Sequence, residues 1–116
     1  MSLDFLDVKV KFIRGFADRT RLQILSCIFD SEKTVSQIVD EIQGNQSNIS
    51  QHLGCLKGCG IVESRQEGKY VFYSMKNEQM KQLLTMFDSA LSHVEDRVAC
   101  CETNDKLLAD SKGGLS

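Results

Sequence analysis

Apolar residues recur at three- and four-residue spacing at Leu6, Val10 and Ile13, which predicts an amphipathic helix over residues 3–16. Asp18 can cap a second helix, whose apolar positions are Leu22, Ile24, Leu25, Ile28 and Phe29. A third begins near Thr34, runs through Val35, Ile38, Val39 and Ile42, and ends at Gly44. Asn45 is a good cap for a fourth, which reaches about Cys59 and is stopped by Gly60. There the period changes. IVESRQ (61–66) and KYVFYSM (69–75) are short, rich in Val, Ile, Tyr and Phe, and separated by Glu67-Gly68, a hairpin signal. After Asn77 the helical period returns at Met80, Leu83, Leu84, Phe87, Leu91, Val94 and Val98. That last helix carries more apolar surface than a small monomer needs, which points to a dimer formed through helices.

The order is four helices, a hairpin and a helix, so the fold class expected is mainly α with a small β-hairpin. Three helices followed by a β-hairpin make a winged helix-turn-helix, in which the helix before the hairpin enters the DNA major groove. The expected assembly is a homodimer through the terminal helices. Residues 1–99 are expected to form the DNA-binding and dimerisation domain, and residues 100–116 a flexible tail carrying candidate metal ligands. The helix-turn-helix itself occupies residues 34–59, with its turn near Gln43-Gly44-Asn45.

On the fourth helix Ile49, Leu53 and Leu56 share one face and should pack inward. Ser47, Gln51 and Gly54 lie opposite, flanked by Asn48 and Ser50. Amides and short hydroxyls suit base edges and phosphates, and here they gather in the N-terminal half of the helix, the half presented to DNA. The DNA-contacting candidates are therefore Gln46, Ser47, Asn48, Ser50, Gln51 and His52, with Arg65 and Lys69 of the hairpin meeting phosphates or the minor groove. The plainer alternative is a solvated polar face. What sets QSNISQ apart is the turn before it and the hairpin after it.

Composition narrows the class without naming a partner. A chain of 116 residues, 41% hydrophobic and 26% charged, suits one compact globular domain. The absence of proline fits a mostly helical chain. A net charge of −2 does not advertise a nucleic-acid binder, although Lys57, Arg65 and Lys69 fall within one short region. No stretch approaches the roughly 18 apolar residues that span a bilayer, and the acidic N-terminus does not read as a secretory signal. Five cysteines, unevenly clustered, do not read as a disulfide framework and point to a reducing cytoplasm.

Cys55 and Cys59 are four residues apart on the fourth helix. Side chains at that spacing stand roughly 5–6 Å apart on one side of a helix. Their thiolates can therefore converge on one ion at about 2.3 Å for zinc, a little longer for larger soft ions. The alternative is packing, since cysteine is among the most buried residue types. Cys100 and Cys101 follow the last helix, and one of them could add a third thiolate. Three thiolates favour Cd(II), Pb(II) or As(III) over a hard ion, whereas Zn(II) usually takes a fourth ligand. Cys27, among Ile24, Leu25 and Ile28, is expected in the core.

No glycine-rich phosphate loop or paired-carboxylate motif is present, and His52 with Cys55 lacks a third orienting group, so an enzyme is not expected. A cytosolic thiol protein that carries soft metals without touching DNA is the rival of another class. It leaves the hairpin after QSNISQHL unexplained.

The chain resembles the ArsR/SmtB metalloregulators in FADRTRLQIL (16–25), VSQIVDEI (35–42), QSNISQHLGCLKGCGIV (46–62) and EGKYVFYSM (67–75), a likeness running from about residue 5 to 98. It departs at Arg19, where the family usually has proline. The resemblance implies a dimeric cytoplasmic repressor that leaves its operator when an ion or other inducer binds. The residues around Leu53–Gly60 look like the cadmium- and lead-responsive CmtR branch. There the ligands would be Cys55, Cys59 and a tail cysteine, Cys100 or Cys101, from the other protomer. Two other family sites have no counterpart. Where arsenic sensors carry cysteines on the third helix this chain has Val35, Gln37 and Ile38. At the zinc-sensor positions it has Asn77, Gln79, Ala90 and His93. Other members sense persulfides or oxidants, which here would employ Cys27 with Cys100 or Cys101.

Overall fold

Side-chain caps decide where the helices begin. In a computed structural model that describes residues 4–101, Asp4 accepts the Asp7 amide and opens helix α1 (Phe5–Arg14). Asp18 accepts the Arg21 amide at 3.1 Å and opens α2 (Arg19–Cys27). Thr34 and Gln37 exchange side-chain and backbone bonds in a capping box at the head of α3 (Val35–Ile42). Asn45 accepts the Asn48 amide at 2.9 Å and opens α4 (Gln46–Gly58). The last helix, α5, runs from Glu78 to Ala99 behind Asn77, whose side chain takes the Met80 amide.

The turn between α3 and α4 is tight. Gln43 sits in the left-handed region at φ 56°, and Gly44 follows it. A Cβ on Gly44 would lie 2.4 Å from the Cδ1 of fully buried Ile49, so a side chain there would displace that methyl within the α4 seat. At its far end α4 closes in a Schellman motif: Gly60 donates to the Lys57 carbonyl and Ile61 to the Leu56 carbonyl. Gly60 takes the left-handed conformation this requires, φ 78°.

The hairpin joins β2 (Val62–Glu67) to β3 (Tyr70–Met75) with Glu67 paired to Tyr70, so the two-residue loop is Gly68-Lys69, one position later than Glu67-Gly68. Gly68 at φ 62° in the first loop position fits the turn that matches strand twist. A third strand escapes the sequence pattern: β1, only Lys33–Thr34, pairs antiparallel with Tyr73 and Phe72 of β3. The sheet order is β1-β3-β2. Two residues have no periodicity to read, and Thr34 serves as strand end and helix cap together.

Helices α2, α3 and α4 share a core of Ile24, Leu25, Ile28, Ile38, Ile49, Leu53, Leu56 and Ile61, each at most 1% exposed. Burying such side chains contributes about 1.5–3 kcal/mol apiece. The expected inward stripe Ile49–Leu53–Leu56 is the buried face of α4. The fold is a winged helix-turn-helix, mainly helical with a small antiparallel sheet. The chain divides into two compact units, one up to Lys81 and one from Gln82 onward. In the first, α1 exposes Phe5, Leu6, Val8, Val10 and Ile13. In the second, α5 exposes Met86, Phe87, Leu91, Val94 and Val98, the last four at alternating four- and three-residue steps. Of the expected tail, residues 100–116, Cys100 and Cys101 are described, and residues 102–116 lie outside the described residues. Among the described residues no helix is long and apolar enough to cross a membrane.

Candidate nucleic-acid interface and thiol site

With Ile49, Leu53 and Leu56 turned inward, α4 presents Gln46, Ser47, Asn48, Ser50 and Gln51 to solvent. Gln46, Ser47, Ser50 and Gln51 line one shallow, open depression. These are hydroxyl and amide groups on one face of a rigid helix, seated from behind by apolar packing. Asn48 stands beside them, its backbone amide occupied by the Asn45 cap. Such a row can exchange hydrogen bonds with base edges and phosphate oxygens without rearranging the backbone.

His52 is placed differently from the other five. Its ring is turned toward α2 and half-buried: Nδ1 accepts from the Arg21 Nε at 3.0 Å, and Nε2 lies 3.8 Å from Asp18 Oδ2. Arg21 also donates from Nη1 to the Arg14 carbonyl at the end of α1, 3.2 Å away. Nothing local in the sequence signals this link, because Arg21 and His52 are 31 positions apart.

On the hairpin, Arg65 is already engaged. Its Nε donates to both Glu32 carboxylate oxygens, at 3.1 and 2.8 Å, and its Nη2 reaches Glu32 as well. Glu67 lies 3.5 Å from the same Nη2, and the guanidinium stands 4.9 Å from the Phe72 ring centre. The hydrogen bond from Arg65 holds the Glu32 carboxyl below the usual carboxylate range and raises the guanidinium in turn. Lys69, at the loop, is exposed with its ammonium 5.5 Å from the Tyr70 ring centre.

The cysteines occupy three settings. Cys55 is exposed in the last turn of α4, and half-buried Cys59 is the C-cap, its amide donating to the Cys55 carbonyl at 3.0 Å. Cys59 therefore sits just past the helix that was expected to contain it, and one turn still separates the pair. Cys100 is exposed and Cys101 half-buried at the end of the described chain, their amides continuing the helical bonding to Asp96 and Val98. Cys27 is buried, and burial pushes its thiol up to about 11, with a hydrogen bond to Glu41 acting in the same direction.

Residues 18–64 match the bacterial regulatory protein family named arsR. The chain is 32% identical over 95 residues to a probable mercury resistance operon repressor of Streptomyces lividans, covering 82% of this chain and 76% of that protein. The chain belongs to the arsR family. A further family relative is the transcriptional regulator CmtR of Mycobacterium bovis, 35% identical over 71 residues, which cover 61% of this chain and 60% of CmtR. Among solved structures, the homodimeric winged helix-turn-helix DNA-binding domain of Mb0332, a possible ArsR-family regulator of Mycobacterium bovis, superposes with a TM-score of 0.73. It is 29% identical and covers 78% of this chain and 85% of that domain.

For an arsR-family regulator, the thiols can be tested as metal ligands by their chemistry and setting. Cys55 and Cys59 are free, at least partly exposed, and one turn apart, which suits two ligands of a soft ion. Among the described residues of one chain, no three His, Cys, Asp or Glu side chains are grouped to hold an ion.

Proposed function

We propose that this arsR-family regulator is a homodimeric, cytoplasmic repressor that binds a palindromic operator and releases it when a thiophilic ion binds. The observation that carries this reading is the two-ended character of α4. Its first half exposes Gln46, Ser47, Asn48, Ser50 and Gln51, while Cys55 lies in its last turn and Cys59 is its C-cap. Two copies of α4 would enter successive major grooves roughly 34 Å apart. The exposed apolar positions of α1 and α5 supply surface for pairing of two copies, in line with the homodimer of the Mb0332 domain.

Cys55 and Cys59 would hold the ion, with Cys100 or Cys101 of either protomer supplying the third thiolate. Cd(II) and Pb(II) are the ions of choice, As(III) and Zn(II) the further candidates. A bound soft cation supplies cross-linking of thiolates. Because its ligands lie at the end of the reading helix, closing the site strains that turn against its position on DNA. Couplings of this kind are typically about 1–3 kcal/mol.

A fluorescence-anisotropy titration on the upstream promoter DNA tests the assignment, with Cd(II), Pb(II), As(III), Zn(II) and a persulfide donor added in turn. Release by a soft ion, lost in Cys59→Ser, is the expected result. Normal release of that variant by cadmium would remove the two thiols from the site.

The redox alternative needs Cys27 as a thiolate with Cys100 or Cys101. A thiol at about 11 rather than the ordinary 9.0 has roughly 100-fold less thiolate at neutral pH. Its raised value also adds stability below pH 9 that is lost as pH rises toward about 11. Cys27 should therefore react with a disulfide reagent at pH 7 far more slowly than Cys55, as measured by peptide mapping of the labelled protein.

A further inference from the structure

Apolar packing decides which face of α4 is buried, but it constrains small rotations and slides of the helix only weakly, because hydrophobic contacts are non-directional. The reading face needs finer precision than the buried stripe supplies: a small rotation or slide moves the tips of Gln51 and Ser47 out of hydrogen-bonding register. Directional groups that grip α4 midway along its length are Arg21 and His52. The planar guanidinium of Arg21 donates from Nε to His52 Nδ1 at 3.0 Å and from Nη1 to the Arg14 carbonyl at 3.2 Å. Arginine is always a donor, so the neutral His52 ring must carry its proton on Nε2, facing Asp18 Oδ2 at 3.8 Å. Asp18 in turn is fixed by capping α2 through the Arg21 amide. The end of α1, the head of α2 and the middle of α4 thus meet at one polar junction.

We propose that Arg21 and His52 act as a positioning pair, which sets the rotation of the reading helix, and that His52 does not itself touch DNA. This rests on α4 being the DNA-reading helix. His52 then serves DNA recognition as an acceptor for Arg21. Its side chain, only 18% exposed, is committed to α2, while the exposed row on the neighbouring face remains available.

The test is a double-mutant cycle read by anisotropy on promoter DNA. It uses wild type, His52→Leu, Arg21→Met, the double variant and His52→Asn, whose amide oxygen falls near the position of Nδ1. Circular-dichroism melts establish that each variant is folded at the assay temperature. His52→Leu should bind about tenfold more weakly, equivalent to about 1.4 kcal/mol. The double variant should be no weaker than either single, and His52→Asn should recover to within about threefold of wild type. A long-range proton–nitrogen spectrum should show the His52 proton on Nε2. Equal affinity of wild type and His52→Leu, additive losses in the cycle, an Asn variant as weak as the Leu variant, or a proton on Nδ1 overturns the positioning role. Wild type that fails to bind any promoter fragment overturns the reading-helix assignment itself, and the positioning role with it.

Discussion

The reading helix and the wing would both meet DNA, yet they are prepared for it in different ways. Helix α4 is held against the core by what lies behind it: Ile49, Leu53 and Leu56 are fully buried, and the polar row in front is left exposed. The wing is held by its own charges. Its arginine, Arg65, is gripped by Glu32 and flanked by Glu67 and Phe72 before any phosphate arrives. A group already satisfied must give up its partner before it gains a new one, so Arg65 would contribute less to binding than its charge suggests. Lys69, exposed at the loop, is the wing cation better placed to reach phosphate. The difference teaches that a polar face backed by a core is ready to read, while a surface cation beside carboxylates is partly spent on its own fold.

Removing the seat should break the comparison outright. Leu53→Ala deletes a side chain at 0% exposure and should lower unfolding free energy by about 2–5 kcal/mol in a denaturant titration. A substitution of equal size on the wing surface should cost far less. On the open face, Gln51→Ala should weaken operator binding by about 1–3 kcal/mol and leave the melting temperature unchanged. An unchanged affinity would place Gln51 outside the base contacts.

The smallest effect sharpens the contrast instead. Glu32→Gln loosens the hold on Arg65 and should tighten DNA binding by less than about threefold. It should also steepen the dependence of log affinity on log salt by about one phosphate contact. Because the Glu32 carboxyl is held below its usual range, the ion pair forms above that range and is lost only as pH falls through the lowered value. The wild type and the Gln variant should therefore converge in the acid limit. Identical salt slopes at neutral pH would show that Glu32 does not keep Arg65 from phosphate.

Much of the frame is legible in the residues because it is local. Asp18 and Asn45 cap the helices they were expected to cap, the stripe Ile49–Leu53–Leu56 faces inward, and Gly60 stops α4. The hairpin is also local, displaced by one residue at its loop. Strand β1 is not legible, since two residues form a strand only where β3 offers them partners.

The candidate site divides along the same line. The exposed amides and hydroxyls of α4, and the one-turn spacing of Cys55 and Cys59, follow from helical periodicity alone. The partners of Arg65 and His52 do not, because Glu32 and Arg21 lie 33 and 31 positions away and a side chain's neighbours at that distance are set by packing. The burial that raises the Cys27 thiol follows from the same packing of helices. Sequence determined which helices form, which faces they bury and which chemistry they can offer, because those depend on caps and period. Tertiary structure decided which polar groups remain open and which are already held, because charge pairs and ring contacts close only when distant segments meet.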